Sequence, residues 1–353
     1  MKFEPDYRNI EMAAWNRRPP RLPFYEHIIG IDTMEAILGR KFAGLISGNG
    51  ADRKRFFEIY NRFFLEHGYD TVSFEVCVTE ILPGGGALAG EQAGPIQTRA
   101  DFEKYPWKDL ARLFRERAES RFCALSEMLP PGMKAIGGIG NGVFEISEDL
   151  VGYEQLCFMM ADDPQLFADL YMRIGDMLAA LWAEFLDKFG NAYTVCRIGD
   201  DMGFKSAPLM SPETLKEHVV PQYHRIARLI HDSGHPFLLH SCGCIFDIMD
   251  DLIRAGIDAK HSNEDVIAPY DEWIKRYGDT IGLFGGIDTD HLCRMKPGEV
   301  YAFVLEEGQR FRRTAKGYAL GSGNSIPGYV PPEAYLAMVN AGQKIREEEA
   351  ANR

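Results

Sequence analysis

The chain has 353 residues, 46% of them hydrophobic, which excludes a disordered protein and leaves room for one large domain or two modest ones with a sizeable core. Its 52 acidic residues against 39 Lys and Arg give a formal net charge of −13, so the average surface repels nucleic acid and acidic membranes. Seven cysteines, an odd number spread along the chain with no signal-like apolar run at its start, lead us to expect a reducing cytoplasm rather than a disulfide framework; no stretch approaches the roughly 18 apolar residues of a spanning helix.

Taken in order, residues 1–65 read as a mostly helical N-terminal extension. Within it, "PPRLPFYEHII" either supplies a strand or covers one end of the domain. Beyond residue 65, apolar runs alternate with amphipathic stretches. The expected strands are 71–78, 133–139, 192–199, 236–240, 257–261, 280–287 and 317–323. Between them, 163–189 reads as a long helix ending at Gly190. The stretch 211–232 reads as a helix with Ser211 as N-cap, Pro212 in its first turn and a break at Pro221; residues 332–350 form a terminal helix. Short strands alternating with helices imply βα units and a parallel sheet. We therefore expect an α/β fold with a single (β/α)₈ TIM barrel over 66–353, with a doubly wound open sheet as the competing architecture.

A barrel places its site at the C-terminal ends of its strands. There the stretch "FLLHSCGC" at 237–244 puts His240 and Cys242 on one side of an extended chain, with Cys244 joining them only if the turn permits. Imidazole nitrogen and thiolate sulfur suit Zn²⁺, although a buried cysteine and a histidine bonded to backbone would give the same letters. Position alone makes Glu75, Cys77, Asp200 and Asp288 candidate catalytic residues, with Asp201 and Glu264 beside them. Arg197, in an apolar strand, is either paired with an acid or poised for an anionic group; it and His261 are candidate substrate-binding residues. The Gly-rich segment 79–105 reads as a surface loop or a cover for the site. It lacks the Gly-Lys-Ser/Thr ending of a phosphate loop, and "GGIGNGVFE" fits a dinucleotide fingerprint poorly.

The stretch "HSCGCIFDIMDDLIRAGIDA", followed by "YGDTIGLFGGIDTDHL", resembles the uroporphyrinogen decarboxylase superfamily, most specifically over 236–290 and more loosely over 20–345. That superfamily includes the decarboxylase and corrinoid-linked methyltransferases, and the resemblance implies one barrel with a deep cleft. The decarboxylase's arginine-rich motif is not kept in "RRPPRLPFYEH", and its early-strand aspartate is replaced by Cys77 or Glu75. The methyltransferase branch is similar at His240 and Cys242, which match its His-x-Cys zinc ligands, but Ser322 in "LGSGNSIP" stands where that branch has a third, cysteine ligand. A serine hydroxyl is a poor Zn²⁺ ligand, so Cys244, Glu75 or another carboxylate is expected in its place.

What the resemblance implies is zinc-assisted transfer of a methyl group between a small methylated substrate or acceptor and a corrinoid carried by a partner protein. Two alternatives stand beside it: a decarboxylase-like lyase using Arg17, Arg18 and Arg21 on an acidic substrate, and a non-catalytic carrier of a tetrapyrrole, corrinoid or metal.

Overall fold

Seven short parallel strands lie side by side in chain order: β1 (Thr71–Cys77), β2 (Lys134–Gly140), β3 (Tyr193–Gly199), β4 (Phe237–His240), β5 (Ala259–His261), β6 (Gly282–Ile287) and β7 (Tyr318–Ser322). The computed structural model describes residues 3–90 and 92–352. Each expected strand is present, its ends displaced by no more than two residues. A doubly wound sheet would reverse its strand order at a switch point. The order here runs straight from β1 to β7, and the sheet curls into a near-barrel with a helical N-terminal extension.

The seam between β7 and β1 is filled by the N-terminal segment. Tyr25 N–H donates to the Leu320 carbonyl at 2.9 Å and Leu320 N–H to that of Pro23 at 3.0 Å, while on the other side the Ser73 hydroxyl donates to the His27 carbonyl. Of the two readings of "PPRLPFYEHII", the strand-like one holds on the β7 side.

Side chains alternate across a strand, and one inward layer forms the floor of the lumen: Ile136, Val195, Leu238, Ala259, Phe284 and Ala319, with Tyr25 from the closing segment. The helix Arg8–Ala14 plugs this floor from below through Ile10, Ala13 and Ala14. A side chain at Gly282 would lie 2.3 Å from the Ala13 carbonyl, so only glycine admits the plug that closely. Outside the sheet, the helix Pro164–Phe189 buries Leu170, Ile174, Leu178 and Trp182 completely. Ser211 accepts from Thr214 N–H at 3.1 Å, and the chain breaks before Pro221 into helices Pro212–His218 and Val220–Asp232.

The N-terminal arginines sit at the opposite pole from the strands' C-terminal ends. Arg18 donates to the carbonyls of Arg312 and Ala315, just ahead of β7; Arg21 pairs with Asp70, just ahead of β1. For Arg18 and Arg21, the expectation that they grip substrate carboxylates is therefore corrected: they fasten the base of the barrel. The other basic stretches also have partners within the chain, Lys54 with Glu127, Arg310 with Asp271 and Arg312 with Glu349. Among the described residues, no helix is long and apolar enough to cross a membrane.

Candidate functional site

Two residues above the lumen floor, the same alternation turns a polar layer inward. Tyr25 leads to His27, Val195 to Arg197, Leu238 to His240 and Ala259 to His261. All four are buried. Arg197 is wholly engaged: its guanidinium meets Glu75 at 2.8 and 3.0 Å, Ser73 Oγ at 2.6 Å, Tyr25 Oη at 3.0 Å and the His27 carbonyl at 3.1 Å. Of its two sequence readings, the pairing with an acid is the one the side chain adopts.

The histidines hold one another in a defined tautomer. His261 Nε2 lies 2.9 Å from the Ser322 carbonyl, which can only accept, so that nitrogen carries the proton. Burial pushes the His261 pKa down to about 3 and those of His240 and His27 well below the ordinary range, so all three rings are neutral. His261 Nδ1 is then bare and accepts from His240 Nδ1–H at 2.8 Å. It follows that His240 Nε2 bears a free lone pair, and it lies 3.6 Å from Cys242 Sγ.

The turn after β4 is shaped to bring Cys242 there. Gly243 has φ +79°, and a side chain on it would lie 2.1 Å from backbone atoms of Gly203. This close approach zips the turn to the loop after β3. Cys242 N–H donates to Asp201 Oδ1 at 2.7 Å and Cys244 N–H to the Phe204 carbonyl at 2.6 Å. Asn324 reaches over from the loop after β7, its Nδ2 lying 3.5 Å from Cys242 Sγ and 3.1 Å from Glu264 Oε1. Burial, and then the charge of Asp201, push the Cys242 thiol up, so in this setting it is a thiol rather than a thiolate.

Among the described residues, two groups of three have ligand atoms within 4.8 Å of one another: Asp201, His240 and Cys242, and the histidines 27, 240 and 261. The all-histidine group fits an ion poorly. His27 and His240 stack with centroids 3.6 Å apart at an interplanar angle of 10°, so their in-plane lone pairs run side by side rather than converging. The Asp201 group fits zinc. A tetrahedral ion with bonds of about 2.0 Å to nitrogen and about 2.3 Å to sulfur separates those two donors by about 3.5 Å, close to the 3.6 Å found between His240 Nε2 and Cys242 Sγ. The Nδ1–H that His240 donates to His261 is the outer hydrogen bond expected of a ligating imidazole.

The other sequence candidates are placed as follows. Cys244 belongs to neither group. Ser322 turns its hydroxyl to Glu26, a fully buried acid whose pKa burial pushes up to about 8, and gives its carbonyl to His261. Asp200 accepts from Phe144 and Glu145 N–H at 3.1 and 2.8 Å and from Tyr223 Oη at 2.8 Å, capping the helix Val143–Val151. Its carboxylate fills the place a pyrophosphate would take at that helix start. Asp288 caps the helix Thr289–Arg294 and also accepts from Asp265 N–H at 2.6 Å. Cys77 is half-buried at the end of β1, its thiol pushed well up by burial and then by Glu75. The segment after β1 is tied over the helix Val143–Val151: Gly86 N–H donates to Asp149 Oδ1 at 2.8 Å and Ile96 N–H to the Leu150 carbonyl at 3.0 Å.

Sequence reasoning passed over Glu26, His27, Asn324 and Lys260. Lys260 Nζ donates to the Ser241 and Ser262 carbonyls at 2.9 and 2.7 Å, and burial pulls its pKa down to about 7. A lysine beside a histidine in a three-residue strand, "AKH", was the available signal.

A sequence profile of the family described as uroporphyrinogen decarboxylase (URO-D) matches residues 92–345. No curated protein matches the chain. Among solved structures, a methyltransferase from Methanosarcina mazei aligns over 96% of this chain and 98% of its own, with a TM-score of 0.75 and 16% identity. A xylose isomerase-like TIM barrel protein from Mycobacterium smegmatis, in complex with magnesium, aligns over 84% and 90%, with a TM-score of 0.37 and 11% identity. The likeness to the methyltransferase is one of fold.

Proposed function

Because the chain belongs to the uroporphyrinogen decarboxylase family, we propose that it is a methyltransferase on that scaffold, moving a methyl group between a small methylated substrate or acceptor and the corrinoid of a partner protein. The observation that carries this reading is the convergence of Asp201, His240 Nε2 and Cys242 Sγ, with His240 held in the ligating tautomer by His261 and Ser322. We assign these three residues as holders of Zn²⁺, Asp201 taking the place left by Ser322. Bound there, the ion would lower the pKa of a coordinated thiol and polarise a coordinated leaving heteroatom.

The chain's own groups support that chemistry in stated ways. Cys242 must lose its proton to solvent to ligate, and before an ion is bound the bare Nε2 of His240 at 3.6 Å keeps the sulfur oriented. Asn324 places an N–H beside the same sulfur, offering a hydrogen bond to a thiolate. Arg197 neutralises Glu75, so the lumen wall under the site carries no net charge from that pair. Glu75 and Cys77 on β1 are proposed to line the substrate end, and Asp200 and Asp288 to fix the loops around it. The corrinoid protein is proposed to approach the strands' C-terminal ends, past the segment 79–105.

Elemental analysis of protein purified without chelator, beside Cys242→Ser, tests the reading. About one zinc per chain, lost in the variant, is the expected result; methyl transfer from methylcobalamin to a panel of small thiols then reports activity. No bound zinc, and none taken up from a zinc-buffered solution, would overturn it.

A further inference from the structure

Just beside the Asp201 group, the loops after β5 and β7 are fastened to each other. Asn263 N–H donates to the Gly323 carbonyl at 2.8 Å, and Gly323 N–H to that of Ile287 at 2.6 Å. The next residue of each loop, Glu264 and Asn324, is thereby set beside the other. The Ser322 hydroxyl also donates to the Asn324 carbonyl at 3.1 Å, which fixes the backbone from which the amide projects.

A side-chain amide has two unlike ends, and a half-turn exchanges them. For Asn324 the choice follows from its neighbour. Glu264 Oε1 lies 3.1 Å from one end, and a carboxylate oxygen only accepts, so that end is Nδ2. The same Nδ2 lies 3.5 Å from Cys242 Sγ, and an NH₂ group has a hydrogen for each. Without an acceptor at residue 264, the amide oxygen could face the sulfur equally well, and an oxygen beside a thiolate repels it.

Cys242 is the single sulfur of the Asp201 group, and its thiol donates to the bare Nε2 of His240 at 3.6 Å. Once that proton is gone, an N–H donor takes up one of the sulfur's lone pairs and spreads its charge. A thiolate held in this way keeps its place as a ligand and is a weaker nucleophile, so that a methyl group passing through the site is not lost to Cys242 itself.

We infer that Glu264 and Asn324 are positioning residues for the Cys242 sulfur: Glu264 aims the Asn324 amide, and the aimed N–H holds the sulfur and damps its nucleophilicity. The inference deepens the zinc reading and rests on it for the thiolate alone, since in the metal-free protein the same amide holds the thiol.

The test is infrared spectroscopy of the S–H stretch on the metal-free full chain, with the spectrum of Cys242→Ser subtracted to isolate the Cys242 band. Accepting one hydrogen bond strengthens the one a group donates. Loss of the Asn324 N–H should therefore weaken the bond from Cys242 to His240 and raise the S–H frequency. We expect a raised band in Asn324→Leu and in Glu264→Leu, and a band at the wild-type position in Glu264→Gln, whose amide oxygen still accepts. Ala replaces Leu at either position should the larger side chain prevent folding. On zinc-loaded protein, iodoacetamide forms an S–C bond at Cys242 with loss of iodide. Peptide mass spectrometry should show both Leu variants alkylated there at least about tenfold faster than wild type or Glu264→Gln. Coincident bands or equal alkylation rates in all the proteins would overturn the inference, and a band moved by Asn324→Leu but not by Glu264→Leu would overturn the part given to Glu264. A wild-type chain that takes up no zinc would retire the zinc reading, and the infrared bands would still decide this one.

Discussion

Glu26→Gln is expected to stabilise the protein by an amount that grows with pH. The Glu26 carboxyl is 1% exposed, and although Ser322 donates to it twice, burial dominates and raises its pKa from 4.5 to about 8. Because the folded value lies above the unfolded one, its contribution to stability is fully present below about pH 4.5 and is lost as pH rises through about 8. At about 1.4 kcal/mol per pH unit, that rise sets an upper bound of about 5 kcal/mol. Glutamine keeps a carbonyl oxygen for the Ser322 N–H but has no proton to lose. Urea unfolding of both proteins at steps from pH 4.5 to 9 should give matching stabilities at the acid end and a gap of about 2–5 kcal/mol at the alkaline end. Lys260 and Glu148 titrate in both proteins and drop out of the difference. A gap constant across the range would mean that Glu26 ionises as an exposed acid does, and would refute the argument.

Arg197→Met strands the Glu75 carboxylate in the lumen and should cost about 3–5 kcal/mol in chemical denaturation; Arg197→Met combined with Glu75→Gln should recover most of that loss, and no recovery would count against the pairing. His261→Phe removes the acceptor that holds the His240 tautomer, and should weaken zinc binding in a chelator competition by about 10–100-fold. His261→Gln, whose amide can both donate to Ser322 and accept from His240, should regain part of it, whereas equal affinities in all three proteins would show that His240 needs no such partner.

The strands were legible because each is an apolar, β-rich run punctuated by glycine or polar residues, and the break at Pro221 because a proline ring cannot continue a helix. Strand parity correctly put His240 and Cys242 near one another. It left Cys244 conditional on the turn, and the left-handed turn at Gly243 breaks the alternation there. Arg197 had two readings in the sequence because its partner, Glu75, lies two strands away in space and 122 residues away in the chain. Glu26 and His27 were hidden for a related reason: nothing in "FYEHII" reveals that the segment would lie in the seam of the barrel.

The seam itself sets a timetable for biogenesis. The strip that fills it leaves the ribosome well before β7, the strand to which it bonds. Until β7 is made the sheet therefore grows with an unsatisfied margin at each side, able to pair with a neighbouring nascent chain. Arg18 at the base, reaching to the carbonyls ahead of β7, acts as a clasp that can fasten only once that part of the chain is made. A newly made chain cut off before β7 would have no means of sealing itself, and quality control would meet it as a sticky half-cylinder rather than as a smaller protein.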